Sequence, residues 1–196
     1  MRQMAGGGDV IVPCIIHTSM TYEDEVDLYA KLETDKTPLT SGQHIKAVLE
    51  AGSPPQITEI NRLVEESGFV WALNEVTGEA FEISTTSSLI NAYHLLDGAT
   101  FSRMLALLAG TWQGTPYSLR ASILSGLSGM ALFVKIYEAE QVDQTFIKNM
   151  STISPEEIIR QGRIDSNIAL RHARIIWESY NSQQSRGMEL PYHFKR

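Results

Sequence analysis

The sequence predicts an α+β fold, predominantly α-helical: an N-terminal strand and a short β-hairpin, followed by a C-terminal helical bundle. Three observations predict it. The β-branched run Val10-Ile11-Val12-Pro13-Cys14-Ile15-Ile16 has the length and composition of one buried strand. Two short apolar runs, Phe69–Leu73 and Ala80–Ile83, flank Thr77-Gly78, which is hairpin spacing. From Thr86 onward the apolar residues recur at helical intervals.

Composition sets the frame. The chain has 196 residues, 43% of them hydrophobic, and a net charge of −7. That is enough to bury a sizeable core, and it excludes a disordered tail or a fibre. A single cysteine, Cys14, excludes a disulfide framework and a multi-cysteine metal site. The best candidate for a membrane span, Ala121–Val134, lies between Arg120 and Lys135 and is shorter than the roughly 18 residues a span needs. No Lys/Arg-led apolar segment opens the chain, so the cytoplasm is the expected compartment.

The elements follow in order. Gly6-Gly7-Gly8 is a flexible turn; no Lys-Ser/Thr follows, so it is not a phosphate loop. Pro13 removes one ladder donor and places strand 10–16 at an edge or a bulge. Thr21 caps a helix whose first turn, Glu23-Asp24-Glu25, suits the positive end of the dipole. Thr40-x-x-Gln43 has capping-box spacing and opens a second helix, which Gly52 stops. Pro54-Pro55 starts a third, with Ile57, Ile60, Leu63 and Val64 inward and Gly68 as its C-cap. After the hairpin, helices are expected at 86–97, 101–112, 117–137, 143–150, 155–163 and 165–181, with stops at Gly98 and Gly110. Ser154-Pro155-Glu156-Glu157 combines an N-cap, proline at N1 and two acids.

Charge is unevenly shared. Residues 1–98 hold 5 Lys/Arg against 15 Asp/Glu, and residues 99–196 hold 11 against 8. The basic side chains of the second half include Arg160 and Arg163, three apart, and Arg171 and Arg174, three apart and opposite the stripe Ile168, Ile175, Ile176 and Tyr180. Arginines on a shared face clamp phosphates, so these four are the expected nucleic-acid-binding residues. The plain alternative is a solvated face on which Arg174 pairs with Glu178. Segment 44–64 has the outline of a helix–turn–helix. Its second helix carries Glu59, Glu65 and Glu66 against Arg62 alone, which suits packing better than reading DNA. Histidines 17, 44, 94, 172 and 193 show no metal spacing, so neither metal nor cofactor is expected. Trp71, Trp112 and Trp177 read as core anchors. Ser125-Gly126-Leu127-Ser128-Gly129 reads as a close helix approach.

One resemblance adds to this. Val12-Pro13-Cys14-Ile15-Ile16, then Thr21-Tyr22-Glu23-Asp24-Glu25-Val26-Asp27-Leu28-Tyr29, then 43–52 resemble the back half of the ParB/sulfiredoxin-like domain of phage and mobile-element proteins. The helical remainder, with Trp112 and the 126–133 segment, is similar to the C-terminal part of such proteins, so the likeness covers about two-thirds of the chain. It implies two domains: residues 1–85 as a remnant of the ParB-like domain and 86–196 as a helical domain. The family's nucleotide- and phosphate-handling box precedes the Val-Pro strand and has no counterpart after Met1. The expectation is a shortened member, or a reading frame that starts upstream, with no catalytic residue to carry over. Gly42-Gln43-His44 lies on the wrong side of that strand, and Ile45 stands where the box needs arginine.

The function this implies is a non-catalytic accessory protein of a phage or mobile element that binds nucleic acid or a nucleoprotein partner. An acidic protein-interaction module or inhibitor is the alternative. A nuclease or phosphoryl-transfer enzyme is a third, if an upstream segment supplies the box. No membrane partner is expected. Strand 10–16 lacks pairing partners, which a homo-oligomer would supply.

Overall fold

The computed structural model describes residues 18–25, 28, 40–50, 55–73, 76–125, 129–137, 140–164 and 170–194. The chain forms two units, Met1–Pro38 and Leu39–Arg196. The expected strand 10–16, Cys14, Gly6–Gly8 and the stripe residue Ile168 lie outside the described residues. In the first unit, residues 22–25 are helical. Thr21 Oγ1 accepts from the Asp24 amide at 3.2 Å, and the Thr21 amide donates to Asp24 Oδ2 at 3.0 Å.

The second unit runs α1 (Ser41–Glu50), α2 (Pro55–Glu66), β1 (Val70–Trp71), β2 (Glu82–Ile83), α3 (Thr86–Leu95), α4 (Gly98–Trp112), α5 (Ala121–Leu124), α6 (Met130–Ile136), α7 (Glu140–Met150), α8 (Pro155–Gly162) and α9 (Arg171–Ser182). The expected class, α+β and predominantly helical, is what the chain adopts. Position 85/86, where the resemblance implies a domain boundary, lies inside this unit: α1 packs on α3, and α2 packs on α4.

Local chemistry explains the helix starts. The Thr40 amide donates to Gln43 Oε1 at 2.9 Å and the Gln43 amide to Thr40 Oγ1 at 3.2 Å, a complete capping box. Asp97 caps α4 by accepting from the Thr100 amide at 2.7 Å. Ser154 caps α8 by accepting from the Glu157 amide at 3.2 Å, with Pro155 at N1. Gly68, at φ +81°, closes α2, and the Phe69 amide turns back to the Val64 carbonyl at 3.0 Å.

Four expectations are corrected. The hairpin is absent: β1 and β2 pair in parallel, Val70 with Glu82 and Trp71 with Ile83. The Glu82 carboxylate accepts from Thr77 N at 3.0 Å, Thr77 Oγ1 at 3.0 Å and Gly78 N at 2.7 Å, so the loop folds onto its own strand instead of reversing tightly. Phe81 (φ +65°) then donates its amide to the Gly114 carbonyl at 2.7 Å. Gly114 is itself left-handed, and a Cβ there would meet the Phe81 ring at 2.7 Å.

The expected helix 117–137 is two helices, α5 and α6. The break fits a serine- and glycine-rich joint, where helix propensity is low. The Gly129 backbone lies so close to the Ser122 and Ile123 carbonyls that a side chain would not fit. Gly98 opens α4 rather than ending the helix before it, which ends at Leu95. Gly110 lies inside α4, where a Cβ would meet Ile147 Cδ1 at 2.9 Å; the helix ends at Gln113 in a left-handed cap (φ 51°).

Helix α4 runs through the core, with Phe101, Met104, Leu105 and Leu108 fully buried, and packs against α2, α3, α6 and α7. Phe146 of α7 is fully buried in an aromatic cluster, 5.3 Å from Phe133, 6.3 Å from Trp112 and stacked on Tyr180 at 6.0 Å. Residues 188–194 form a strap over α6 and α9. The Tyr137 hydroxyl donates to the Pro191 carbonyl at 2.7 Å, and Trp177 Nε1 donates to the Leu190 carbonyl at 3.0 Å. Asn181 bonds both the carbonyl and the amide of Leu190. Among the described residues no helix is long and apolar enough to cross a membrane.

Candidate nucleic-acid interface

Two helix junctions converge on one cleft. Helix α8 starts firmly at Ser154 and ends at Gly162, so Arg163 stands at its C-terminal edge. Helix α9 starts at Arg171, so Arg171 and His172 occupy its first two positions. The imidazole of His172 is buried against Gly162, where a Cβ would come within 2.7 Å of Nε2. Glycine at 162 is therefore what lets α9 meet the end of α8. The third wall comes from the turns at 115–120 and from α5. There the Arg120 guanidinium lies 4.2 Å from the centre of the Tyr117 ring.

The cleft these elements enclose is about 540 Å³ and is lined by Arg120, Arg163, Arg171, His172, Ser88 and Ser122 among others. Among the described residues none of the three arginines has a carboxylate partner. Arg171 Nε is buried with no acceptor. A buried N–H without an acceptor is costly, and guanidiniums lining a cleft suit an oxyanion. Three guanidiniums sharing one cleft also repel one another, and an anion between them turns that repulsion into attraction.

A smaller cleft of about 270 Å³ adjoins it, sharing Arg120 and Arg163 and adding Tyr117, Glu156 and Arg160. Arg160 is committed to its own helix: Nε donates to Glu157 Oε2 at 2.8 Å and Nη2 to Oε1 at 2.6 Å. The Arg160 guanidinium holds the Glu157 carboxyl below its ordinary range. Arg174 lies 4.0 Å from Glu178 and does not line the cleft. Of the four arginines singled out in the sequence, Arg163 and Arg171 thus share the main cleft, Arg160 borders it, and Arg174 stands apart. Arg120 completes the group from forty residues away, and no spacing in the sequence announces it.

The other basic candidate is neutralised. Arg62 of α2 is held by Glu59 at 2.7 Å and also pairs with Glu66, so segment 44–64 presents no free cation from its second helix. Among the described residues no group of three or more His, Cys, Asp or Glu is placed to hold a metal ion.

A family model described as a family of unknown function, DUF6551, matches residues 2–194. No curated protein and no solved structure matches the chain.

Proposed function

The chain belongs to the DUF6551 family, whose description names no activity, and from its own residues we propose that it binds nucleic acid through the phosphate backbone. The observation that carries this reading is the cleft in which Arg120, Arg163 and Arg171 converge without carboxylate partners among the described residues. The role is that of a non-catalytic accessory protein of a phage or mobile element, acting in the cytoplasm. The resemblance of the first half to ParB-like proteins and the positive balance of residues 99–196 support it. The acidic first half keeps the molecule from coating nucleic acid indiscriminately, since its net charge repels phosphate everywhere except at a local basic site.

The test is fluorescence anisotropy with a labelled oligonucleotide between 50 and 200 mM salt. Wild-type affinity falls as salt rises, because each arginine–phosphate contact releases counterions. The Arg163→Glu/Arg171→Glu variant binds at least tenfold more weakly and with a slope shallower by about two. Arg174→Glu, outside the cleft, has a much smaller effect. An Arg163→Glu/Arg171→Glu variant that binds like wild type, or a wild type that binds no nucleic acid, overturns the reading.

A further inference from the structure

The arginine cleft does not end at its own wall. Ser88 and Ala121 also line a second cleft of about 510 Å³. Its walls are the start of α1, the loop after β1 and the segment Ser84–Ser88 that leads into α3. Its lining is hydroxyl-rich, with Ser84, Ser87, Ser88 and Thr85 (whose hydroxyl donates to the Leu119 carbonyl at 3.2 Å) alongside Leu73 and Val76, and no lining residue is charged. An uncharged polar groove with apolar lining residues therefore adjoins the arginine cleft at Ser88 and Ala121. Tyr117, whose ring lies against the Arg120 guanidinium, is 40% exposed.

These parts differ in chemistry. Guanidiniums suit phosphates. Hydroxyls, each one donor and two acceptors, suit sugar oxygens and base edges. Apolar walls and exposed aromatic faces suit the flat surface of a base. A duplex presents its phosphates on a convex surface and keeps its bases paired inside, so its sugars and bases cannot enter a concave groove. A strand whose bases are unpaired can place phosphate and nucleoside in neighbouring clefts.

We infer that the site is built for single-stranded nucleic acid, with a backbone phosphate held by Arg120, Arg163 and Arg171 and the adjoining nucleoside lying in the Ser84–Ser88 groove. This rests on the phosphate-binding reading above and specifies the form of ligand. A duplex touches the arginines only from outside, so it binds more weakly. The side chain of Ser87 is exposed and lines the second cleft but not the arginine cleft, so a bulky residue there obstructs the nucleoside without filling the arginine cleft.

The experiment compares one labelled 20-mer, as a single strand and annealed to its complement, against wild type, Ser87→Trp and Arg163→Glu/Arg171→Glu. Thermal melts confirm that each variant is folded. The expected result is at least tenfold tighter binding of the single strand by wild type. Ser87→Trp loses about tenfold for the single strand and little for the duplex. The arginine variant loses both. Duplex binding as tight as single-strand binding, or a Ser87→Trp variant with unchanged single-strand affinity, overturns the inference. If the arginine variant still loses binding in that case, the phosphate-binding reading stands. Absence of binding to either form removes both.

Discussion

Arg103 of α4 and Asp143 of α7 form a two-pronged ion pair inside the bundle. Nε donates to the two carboxylate oxygens at 2.8 and 3.0 Å, and Nη2 donates to Oδ1 at 2.6 Å. The same guanidinium reaches the Tyr137 carbonyl at 2.8 Å and the Val134 carbonyl at 3.4 Å. These carbonyls lie at the end of α6 and have no partner within their own helix. One side chain therefore ties three helices together.

Removing one member of this pair strands the other, since both are mostly buried, at 18% and 26% side-chain exposure. Asp143→Ala is expected to destabilise the chain by about 2 kcal/mol in urea unfolding. Replacing both with Met and Leu is expected to cost much less, because no charge is then left unpaired. Equal losses in the single and double variants would contradict this account.

Phe146 touches rings from three other segments and has no exposed surface. Phe146→Ala is expected to cost about 3–5 kcal/mol, and Phe146→Leu less than about 1.5 kcal/mol. Equilibrium denaturation measures both. A loss under about 1 kcal/mol for the alanine variant would mean the neighbouring helices close over the gap.

Gly162→Ala tests how the cleft is held together. The new methyl meets the His172 imidazole, which cannot move outward without displacing the start of α9. Expected are a stability loss of about 1–3 kcal/mol and oligonucleotide binding weakened severalfold, because Arg171 moves with that helix end. Denaturation and anisotropy read the two effects separately, and a variant that matches wild type in both would show that the ring is not confined.

The acid limb of stability follows from surface carboxylates. The Thr100 amide holds the Asp97 carboxyl below its ordinary range, and the Arg160 guanidinium does the same for Glu157. The Thr77 and Gly78 amides, with the Thr77 hydroxyl, act likewise on Glu82. Each is lower in the folded chain than in the unfolded one, so the folded state favours the ionised form. Their contribution is complete above the ordinary carboxylate range and is lost as pH falls through the lowered folded values. The melting temperature is expected to fall modestly in that window, since all three carboxylates are exposed and screened by solvent. Asp97→Asn, which keeps a capping oxygen but cannot titrate, flattens the drop; an unchanged slope would remove Asp97 from the set.

The helix starts were legible because capping is local. Thr21, Thr40-x-x-Gln43 and Ser154-Pro155 each complete their bonds within three residues. The parallel pairing of β1 and β2 was not, because the Glu82 carboxylate captures Thr77 and Gly78, and a turn dipeptide cannot reveal that. The break before α6 depends on how closely Gly129 approaches the Ile123 carbonyl, a tertiary fact. The site divides the same way. Arginine spacing marks Arg163 and Arg171 as basic, but only folding places Arg120 beside them and turns Arg174 aside.

The strap across α6 and α9 makes the tryptophans unequal witnesses. Trp177 owes its surroundings to that strap, through its bond to Leu190 and the rings of Tyr192 and Phe194 at 5.1 and 6.5 Å. Trp112 is instead bonded to the Ile153 carbonyl at 2.8 Å within the bundle. Peeling of the last segment therefore alters the emission of Trp177 before that of Trp112. The chain carries its own optical means of telling local fraying from cooperative unfolding.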